Sequence, residues 1–140
     1  MAELKTAKYI RTLDTRASRH KEVTTPIPFI DSDKDFGNMG FHMYWQTIDK
    51  PFVMAPESHR HDFPQFLYFL GGDVTNLTDL GGVIEFTLSE DGKTMEKHII
   101  TKATMIYIRP GLFHNPMVFK KVTKPILTGD LYFATDYTRM

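Results

Sequence analysis

The chain has 140 residues, of which 41% are hydrophobic and 24% charged, which is the composition of an ordinary globular domain. Its 17 basic and 17 acidic residues cancel, and no basic run is long enough to indicate a nucleic-acid partner. No apolar window approaches the roughly 18 residues of a membrane span, and the N-terminus lacks the apolar core of a signal peptide, so we expect no membrane partner. Cysteine is absent, which excludes disulfides and thiolate chemistry and predicts a cytoplasmic protein.

Short β-strand patterns separated by turn residues run through the chain. A proline-bearing edge segment at residues 23–30 and an acidic turn at 31–35 come first. The strand patterns that follow cover residues 41–48, 52–55, 65–70, 83–88, 95–101, 104–108, 115–119 and 125–134. Residues 90–93 contain the Asp-Gly pair of a tight hairpin turn, and 73–80 form a polar loop between two glycine pairs. Many short strands without a long helical period predict an all-β sandwich or barrel.

Three histidines and a glutamine form the pattern that indicates chemistry. His59 and His61 lie two residues apart on an extended segment, so both imidazoles face the same way, and Gln65 keeps that parity. His114 follows a Pro-Gly turn, 49 residues after Gln65. Imidazole nitrogens and an amide oxygen are ligands of divalent transition metals, and four such ligands leave positions open for water or substrate. We therefore predict a metal site formed by His59, His61, Gln65 and His114.

The spacing of these residues resembles two sequence motifs of the cupin superfamily. His59-x-His61, Gln65 and Gly72 stand at the spacings of the first motif, in which the usual third residue is glutamate. Residues 110–114 resemble the second motif and keep its glycine-to-histidine spacing.

This chain departs from the second motif at two positions. Arg109 stands where a proline is usual, two residues before the glycine, and Val118 replaces the usual asparagine four residues after His114. The resemblance covers about residues 39–120.

The resemblance implies an all-β fold, a double-stranded β-helix or jelly-roll-like barrel of cupin type, in a single domain over residues 1–140. Residues 1–38 would form an N-terminal extension of extra strands or an arm, 39–120 the core barrel with both motifs, and 121–140 a C-terminal strand. Cupins commonly dimerise through sheet edges, so the resemblance also implies a homodimer.

Gln65 changes the charge of the predicted site. A glutamate would lower by one the charge of a divalent ion held by neutral imidazoles, whereas an amide leaves that charge in full and makes the ion a stronger Lewis acid. We therefore expect an isomerase, cyclase or lyase acting on a small carbonyl-bearing or polyhydroxylated molecule, in preference to a dioxygenase. The ion would be one divalent transition metal among Fe, Mn, Ni and Zn. The alternative function is a non-catalytic module that binds a small molecule.

Arg109 and Tyr107, which precede residues 110–114, are candidate catalytic groups. Arg109 lies at the turn beside His114, where a guanidinium could hold a substrate carboxylate, and a surface salt bridge is its alternative role. Tyr107 has the same parity as Arg109 and is either an acid or base, or a residue of the barrel wall.

The strand at residues 41–48 has one polar and one apolar face. We expect the apolar face, with Trp45, to line the barrel interior. If the polar face points inward instead, His42 becomes a candidate general base near the metal. His20 and His98 have no partner at metal-binding spacing and are predicted to lie at the surface.

Overall fold

A computed structural model describes residues 4–140 of the chain, and in that range ten strands form two antiparallel sheets. A short 3-10 turn at Ala7–Tyr9 precedes the strands, and a four-residue helix α1 (Ser32–Asp35) follows the second strand. The strands are β1 (Asp14–Arg16), β2 (Ile27–Asp31), β3 (His42–Ile48), β4 (Phe52–Ala55), β5 (Gln65–Gly71), β6 (Asp79–Ser89), β7 (Glu96–Lys102), β8 (Thr104–Ile108), β9 (Phe113–Val122) and β10 (Ile126–Tyr132).

The two sheets enclose one hydrophobic core. The larger sheet has the strand order β1-β2-β3-β10-β5-β8 and the smaller has β4-β9-β6-β7. Phe69 of the larger sheet meets Phe119 of the smaller one edge to face, with ring centroids 6.4 Å apart, and both side chains are fully buried. Fold class and architecture therefore agree with the sequence prediction of a closed all-β barrel.

The strand patterns locate most elements correctly where the two faces of a strand differ in burial, as in β8, in which Met105 and Tyr107 are exposed and Ile108 is buried. A hairpin joins β6 and β7 as predicted, but the tight Asp-Gly turn at residues 90–93 is wrong: the connection spans residues 90–95, and Gly92 has φ +78° whereas Asp91 does not have a positive φ. The Asp91 carboxylate shapes this longer loop by accepting bonds of 2.8 and 2.7 Å from the backbone N–H groups of Lys93 and Thr94. The short strand β1 falls in the N-terminal segment for which extra strands or an arm were expected, and helix α1 stands where the sequence predicts an acidic turn. The domain divisions at residues 38 and 120 stay a prediction.

The prediction that the apolar face of β3 points inward is wrong. Tyr44 and Gln46 line the interior cavity, while Met43 and Trp45 lie in a groove on the outer face of the larger sheet. The polar face of β3 is accommodated inside because the cavity also holds polar side chains, including Gln65 and Asp130, while the apolar face of β3 adjoins other apolar side chains in the outer groove.

Backbone hydrogen bonds hold the N-terminal strand and the C-terminal tail against the rest of the fold. β1 pairs with β2, which pairs with β3, so the N-terminal segment extends the larger sheet. After β10 the chain turns back: the Phe133 N–H donates to the Pro64 carbonyl at 3.1 Å and the Met140 N–H to the Arg60 carbonyl at 2.9 Å. Within residues 4–140, no helix is long and apolar enough to cross a membrane.

Candidate metal centre

Backbone hydrogen bonds hold the two histidine-bearing segments side by side. His59 and His114 form an antiparallel bridge, in which each N–H donates to the other's carbonyl, at 3.1 and 3.0 Å. The Gly111 N–H donates to the His61 carbonyl at 2.7 Å. The Pro-Gly turn thus fixes the second segment against the first, and the predicted convergence of the three histidines follows from this pairing.

The three imidazoles present unpartnered nitrogen atoms to one another. Ligand atoms of His59, His61 and His114 lie within 4.8 Å of one another, and the Nε2 atom of each is buried without a hydrogen-bond partner. Unpartnered buried nitrogens are costly, and three of them together are expected where a metal supplies the missing contact.

A backbone carbonyl contacts the other nitrogen of each imidazole. The Nδ1 atoms lie 3.3, 2.6 and 3.0 Å from the carbonyl oxygens of Glu57, Thr138 and Leu112, for His59, His61 and His114 respectively. A carbonyl accepts only from a protonated nitrogen, so these contacts place the proton on Nδ1 and leave Nε2 with a free lone pair. His59 Nδ1 also lies 3.5 Å from Asn115 Nδ2, but its contact with the Glu57 carbonyl is shorter and favours the same tautomer. This tautomer can bind a metal through Nε2.

Burial keeps the imidazoles neutral. It lowers the pKa of His59 to about 4, with a further contribution from the charge of Arg139. Burial likewise lowers the pKa of His114 to about 4, against the opposing effect of its bond to the Leu112 carbonyl. The pKa of His61 is also lowered, again by burial first.

Gln65 supplies a fourth unpartnered donor atom. Its Nε2 donates to both carboxylate oxygens of Asp130, at 3.3 and 3.2 Å, which leaves the buried Oε1 without a partner. Asp130 is 4% exposed, and burial raises its pKa to about 7, although the bond from Gln65 acts in the opposite direction. The carboxylate of Asp130 therefore fixes which end of the Gln65 amide is free to bind an ion.

A cavity of about 310 Å³ opens beside these donors. Its wall includes the apolar side chains Met54, Leu67 and Met117 from three strands. Leu67 thus lines the interior, as its parity with Gln65 predicts. The size corresponds to the lower end of the range for small-molecule sites.

The three candidate catalytic residues lie outside this cavity. Arg109 is exposed and forms an ion pair with Glu90, which is the alternative role that the sequence left open. Tyr107 is 54% exposed on the outer face of the larger sheet, with its ring 5.2 Å from that of Phe66.

His42 is bound away from the metal donors. Its Nδ1 lies 2.5 Å from the Asp31 carboxylate and its Nε2 lies 2.9 Å from the Thr135 carbonyl, with its ring stacked on Tyr132 at 4.8 Å. Both ring nitrogens are therefore engaged, and the structure gives none of the three candidates contact with the cavity.

Several residues at the cavity were not expected from the sequence. His20, predicted to be a surface residue, lines the cavity, as do Arg19 from the N-terminal segment and Tyr137 and Arg139 from the C-terminal tail. Of the missed residues, only Asp130 has a signal in the sequence, because a carboxylate in the middle of an otherwise apolar strand indicates a buried polar partner.

Solved structures similar to this chain are cupins. An oxalate oxidase in complex with the substrate analogue glycolate has a TM-score of 0.62 at 10% identity, covering 95% of this chain and 63% of that one. A mutant of Bacillus subtilis oxalate decarboxylase has a TM-score of 0.60 at 11% identity, covering 89% and 29%. Vicilin from hazelnut (Corylus avellana) has a TM-score of 0.59 at 10% identity, covering 89% and 32%.

The chain therefore has the cupin fold, and it spans less than two thirds of the length of each of these three proteins. No protein-family model matches the sequence, and no curated protein matches it either.

Proposed function

We propose that the protein is a metal-dependent cupin enzyme, in which the three histidines and Gln65 hold one divalent transition metal. The observation that carries this proposal is the set of four buried donor atoms, three Nε2 and one Oε1, that have no hydrogen-bond partner. Three of the four residues, His59, Gln65 and His114, line one cavity, and orphaned donors grouped in this way are expected where an ion supplies the missing contact.

The proposed substrate is a small carbonyl-bearing or polyhydroxylated molecule. When bound, the ion supplies Lewis-acid polarisation of a carbonyl or hydroxyl oxygen. The neutral amide of Gln65 does not reduce the ion's charge as a carboxylate ligand would, and the apolar side chains of Met54, Leu67 and Met117 exclude water from part of the cavity.

These features favour an isomerase, cyclase or lyase over a dioxygenase. Mn belongs among the candidate ions together with Fe, Ni and Zn, and the Mn(II) centres of Bacillus subtilis oxalate decarboxylase support its inclusion. The second candidate function is a non-catalytic cupin module that binds a small molecule through the same cavity.

Metal content tests the proposal. Untagged protein is purified, loaded with each ion in turn and desalted, and its bound metal is measured by elemental mass spectrometry. We expect about one ion per chain for the native protein and for His98→Ala, an exposed histidine outside the site. His59→Ala and His114→Ala should lose stoichiometric binding. A native protein that retains none of these ions would contradict the proposal.

Turnover separates the enzyme from the binding module. The loaded protein is incubated with aldoses, uronates and small keto acids, and products are followed by nuclear magnetic resonance. Conversion that requires the ion supports the enzyme, whereas saturable binding without conversion favours the module. Oxygen uptake by the iron-loaded protein would indicate a dioxygenase instead.

We also propose that the protein forms a homodimer through the outer face of the larger sheet. β8 is an edge strand of that sheet, and Met105 and Tyr107 on it are 64% and 54% exposed. The groove beside them is lined mainly by apolar side chains, including Met43 and Trp45. An apolar face next to an open edge favours pairing with a second copy.

A cytoplasmic location stays a prediction from the cysteine-free composition.

A further inference from the structure

The charged side chains around the metal cavity are predominantly basic. Those that line it are Arg16, Arg19, Arg139 and Asp130. The chain as a whole has equal numbers of basic and acidic residues, so this grouping is not a consequence of composition. The one acidic residue, Asp130, is buried and already bound to Gln65. The cavity therefore attracts anions.

Two of the three guanidinium groups are free to bind a ligand. The Arg16 guanidinium lies over the rings of Phe29 and Tyr44, at 4.8 and 5.4 Å from their centroids. Arg19 and Arg139 are exposed, and within residues 4–140 neither has an ion pair or a side-chain hydrogen bond. Both line the same cavity as His59, His114 and the free Gln65 oxygen.

The backbone on both sides of Arg139 is anchored at the metal centre. The preceding residue, Thr138, contacts His61 Nδ1 through its carbonyl at 2.6 Å, and the N–H of the next residue, Met140, donates to the Arg60 carbonyl at 2.9 Å. Arg139 is therefore held in place beside the histidines. Its charge is close enough to contribute to the lowered pKa of His59, after the larger effect of burial.

Local hydrogen bonds also shape the backbone that carries Arg19. The N–H of His20 donates to the Ser18 hydroxyl at 3.0 Å, and the N–H of Val23 donates to the His20 carbonyl at 3.1 Å. The N-terminal segment and the C-terminal tail thus each present one unpaired guanidinium at the cavity.

We propose that the cavity binds a small carboxylate anion, whose carboxylate pairs with the guanidinium groups of Arg19 and Arg139 while a carbonyl or hydroxyl oxygen of the same molecule faces the histidines. A planar carboxylate matches the donor geometry of a guanidinium, and a cavity of about 310 Å³ suits a short molecule. The inference names the substrate class for the proposed function and rests on it for the role of the ion. Arg19 and Arg139 thus take the role that the sequence assigned to Arg109.

Titration calorimetry tests this inference. Glycolate, pyruvate, oxalate and succinate are titrated at low salt into the metal-loaded and the metal-free protein, with ethylene glycol and inorganic phosphate as probes of neutral and phosphate ligands. We expect at least one carboxylate to bind at submillimolar to millimolar concentration. Arg19→Gln and Arg139→Gln should each weaken that binding roughly tenfold, the usual worth of a charge-assisted hydrogen bond. The matched control is Arg109→Gln, which removes an exposed guanidinium outside the cavity and should change the affinity less than about twofold.

Each alternative outcome has a definite meaning. No binding of any carboxylate, equal binding of ethylene glycol, tighter binding of phosphate, or unchanged affinity in both arginine variants would overturn the inference. Because metal content is measured separately, a protein that holds the ion but no carboxylate refutes this inference alone. Arginine-dependent carboxylate binding by a chain that retains no ion refutes the metal proposal alone.

Discussion

Gln65 and Asp130 together explain why an amide stands where cupins usually have glutamate. A glutamate at position 65 would place two carboxylates side by side in a buried site, where like charges repel strongly. The amide instead donates Nε2 to both Asp130 oxygens, at 3.3 and 3.2 Å, and keeps Oε1 free. The carboxylate at this site thus belongs to Asp130, which lies behind the Gln65 amide, whereas in the usual motif the carboxylate belongs to the residue that binds the ion.

This pairing predicts that substitutions at the two positions are coupled. Gln65→Glu alone should lower the free energy of unfolding of the metal-free protein, because two buried acids then compete for one proton. Adding Asp130→Asn restores one acid and one amide donor, so we expect the double variant to recover about 2 kcal/mol. Urea denaturation of the two single variants and the double variant measures the coupling. Additive effects would show that Asp130 does not fix the amide.

At the scale of single residues, the sequence predicts the ligand set but not its surroundings. The two-residue spacing of His59 and His61 is correctly interpreted as placing both side chains on one side. Gln65 lies on a different element, because bends at residues 62–63 separate the histidines from the start of β5. Arg19 and Arg139 line the cavity because the segment that follows β1 and the C-terminal tail both pass beside it. No local sequence pattern predicts that path. For Arg109 the sequence left two roles open, a substrate contact or a surface salt bridge, and its side chain pairs with exposed Glu90.

Among the elements, the C-terminal tail contributes to the site alongside strand β9 and the segment between β4 and β5, which carry the histidines. Thr138 provides the carbonyl that orients His61, and the ring of Tyr137 lies 4.5 Å from the His61 ring. Outer partners of this kind hold a metal-binding imidazole in its binding tautomer and orientation.

Removing the tail should therefore weaken metal binding. In a chain ending at Asp136, His61 loses its carbonyl partner, and we expect the metal dissociation constant to rise roughly tenfold. Competition with a fluorescent chelator measures the constant. Arg139→Gln is the control, since it changes the tail's charge but keeps its backbone. Equal affinity in the native and shortened chains would show that the tail only covers the site.

Strand positions follow from alternation, but the orientation of a strand does not. In β3 both faces have a consistent character, so alternation cannot tell which one points inward, and Tyr44 and Gln46 face the cavity against expectation. In β9, strict alternation from His114 would turn Pro116 and Val118 inward, yet Met117 lines the cavity with His114, because the register with β6 shifts between Phe86 and Leu88. Such irregularities follow from tertiary packing and have no reliable sequence signal.

For the whole molecule, the apolar outer face of the larger sheet predicts a dimer in solution. Met105→Glu places a charge on the exposed edge strand β8, where it would have to be buried in an apolar contact. We expect the dimer dissociation constant to rise at least tenfold, which corresponds to a loss of about 1.4 kcal/mol of dimerisation free energy or more. Ile99→Glu is the matched control, on an exposed position of β7 in the smaller sheet. Analytical ultracentrifugation distinguishes the species. A native protein that is monomeric at micromolar concentration would contradict the proposed interface.

The convergence of four separate side chains on a single ion underlies both the proposed function and the role of the carboxylate site. Anomalous diffraction from crystals of the untagged, metal-loaded protein, recorded on both sides of the ion's absorption edge, would test it. We predict one strong peak per chain, within about 2.0–2.3 Å of Nε2 of His59, His61 and His114 and of Oε1 of Gln65. A peak elsewhere, or none among these four atoms, would contradict it.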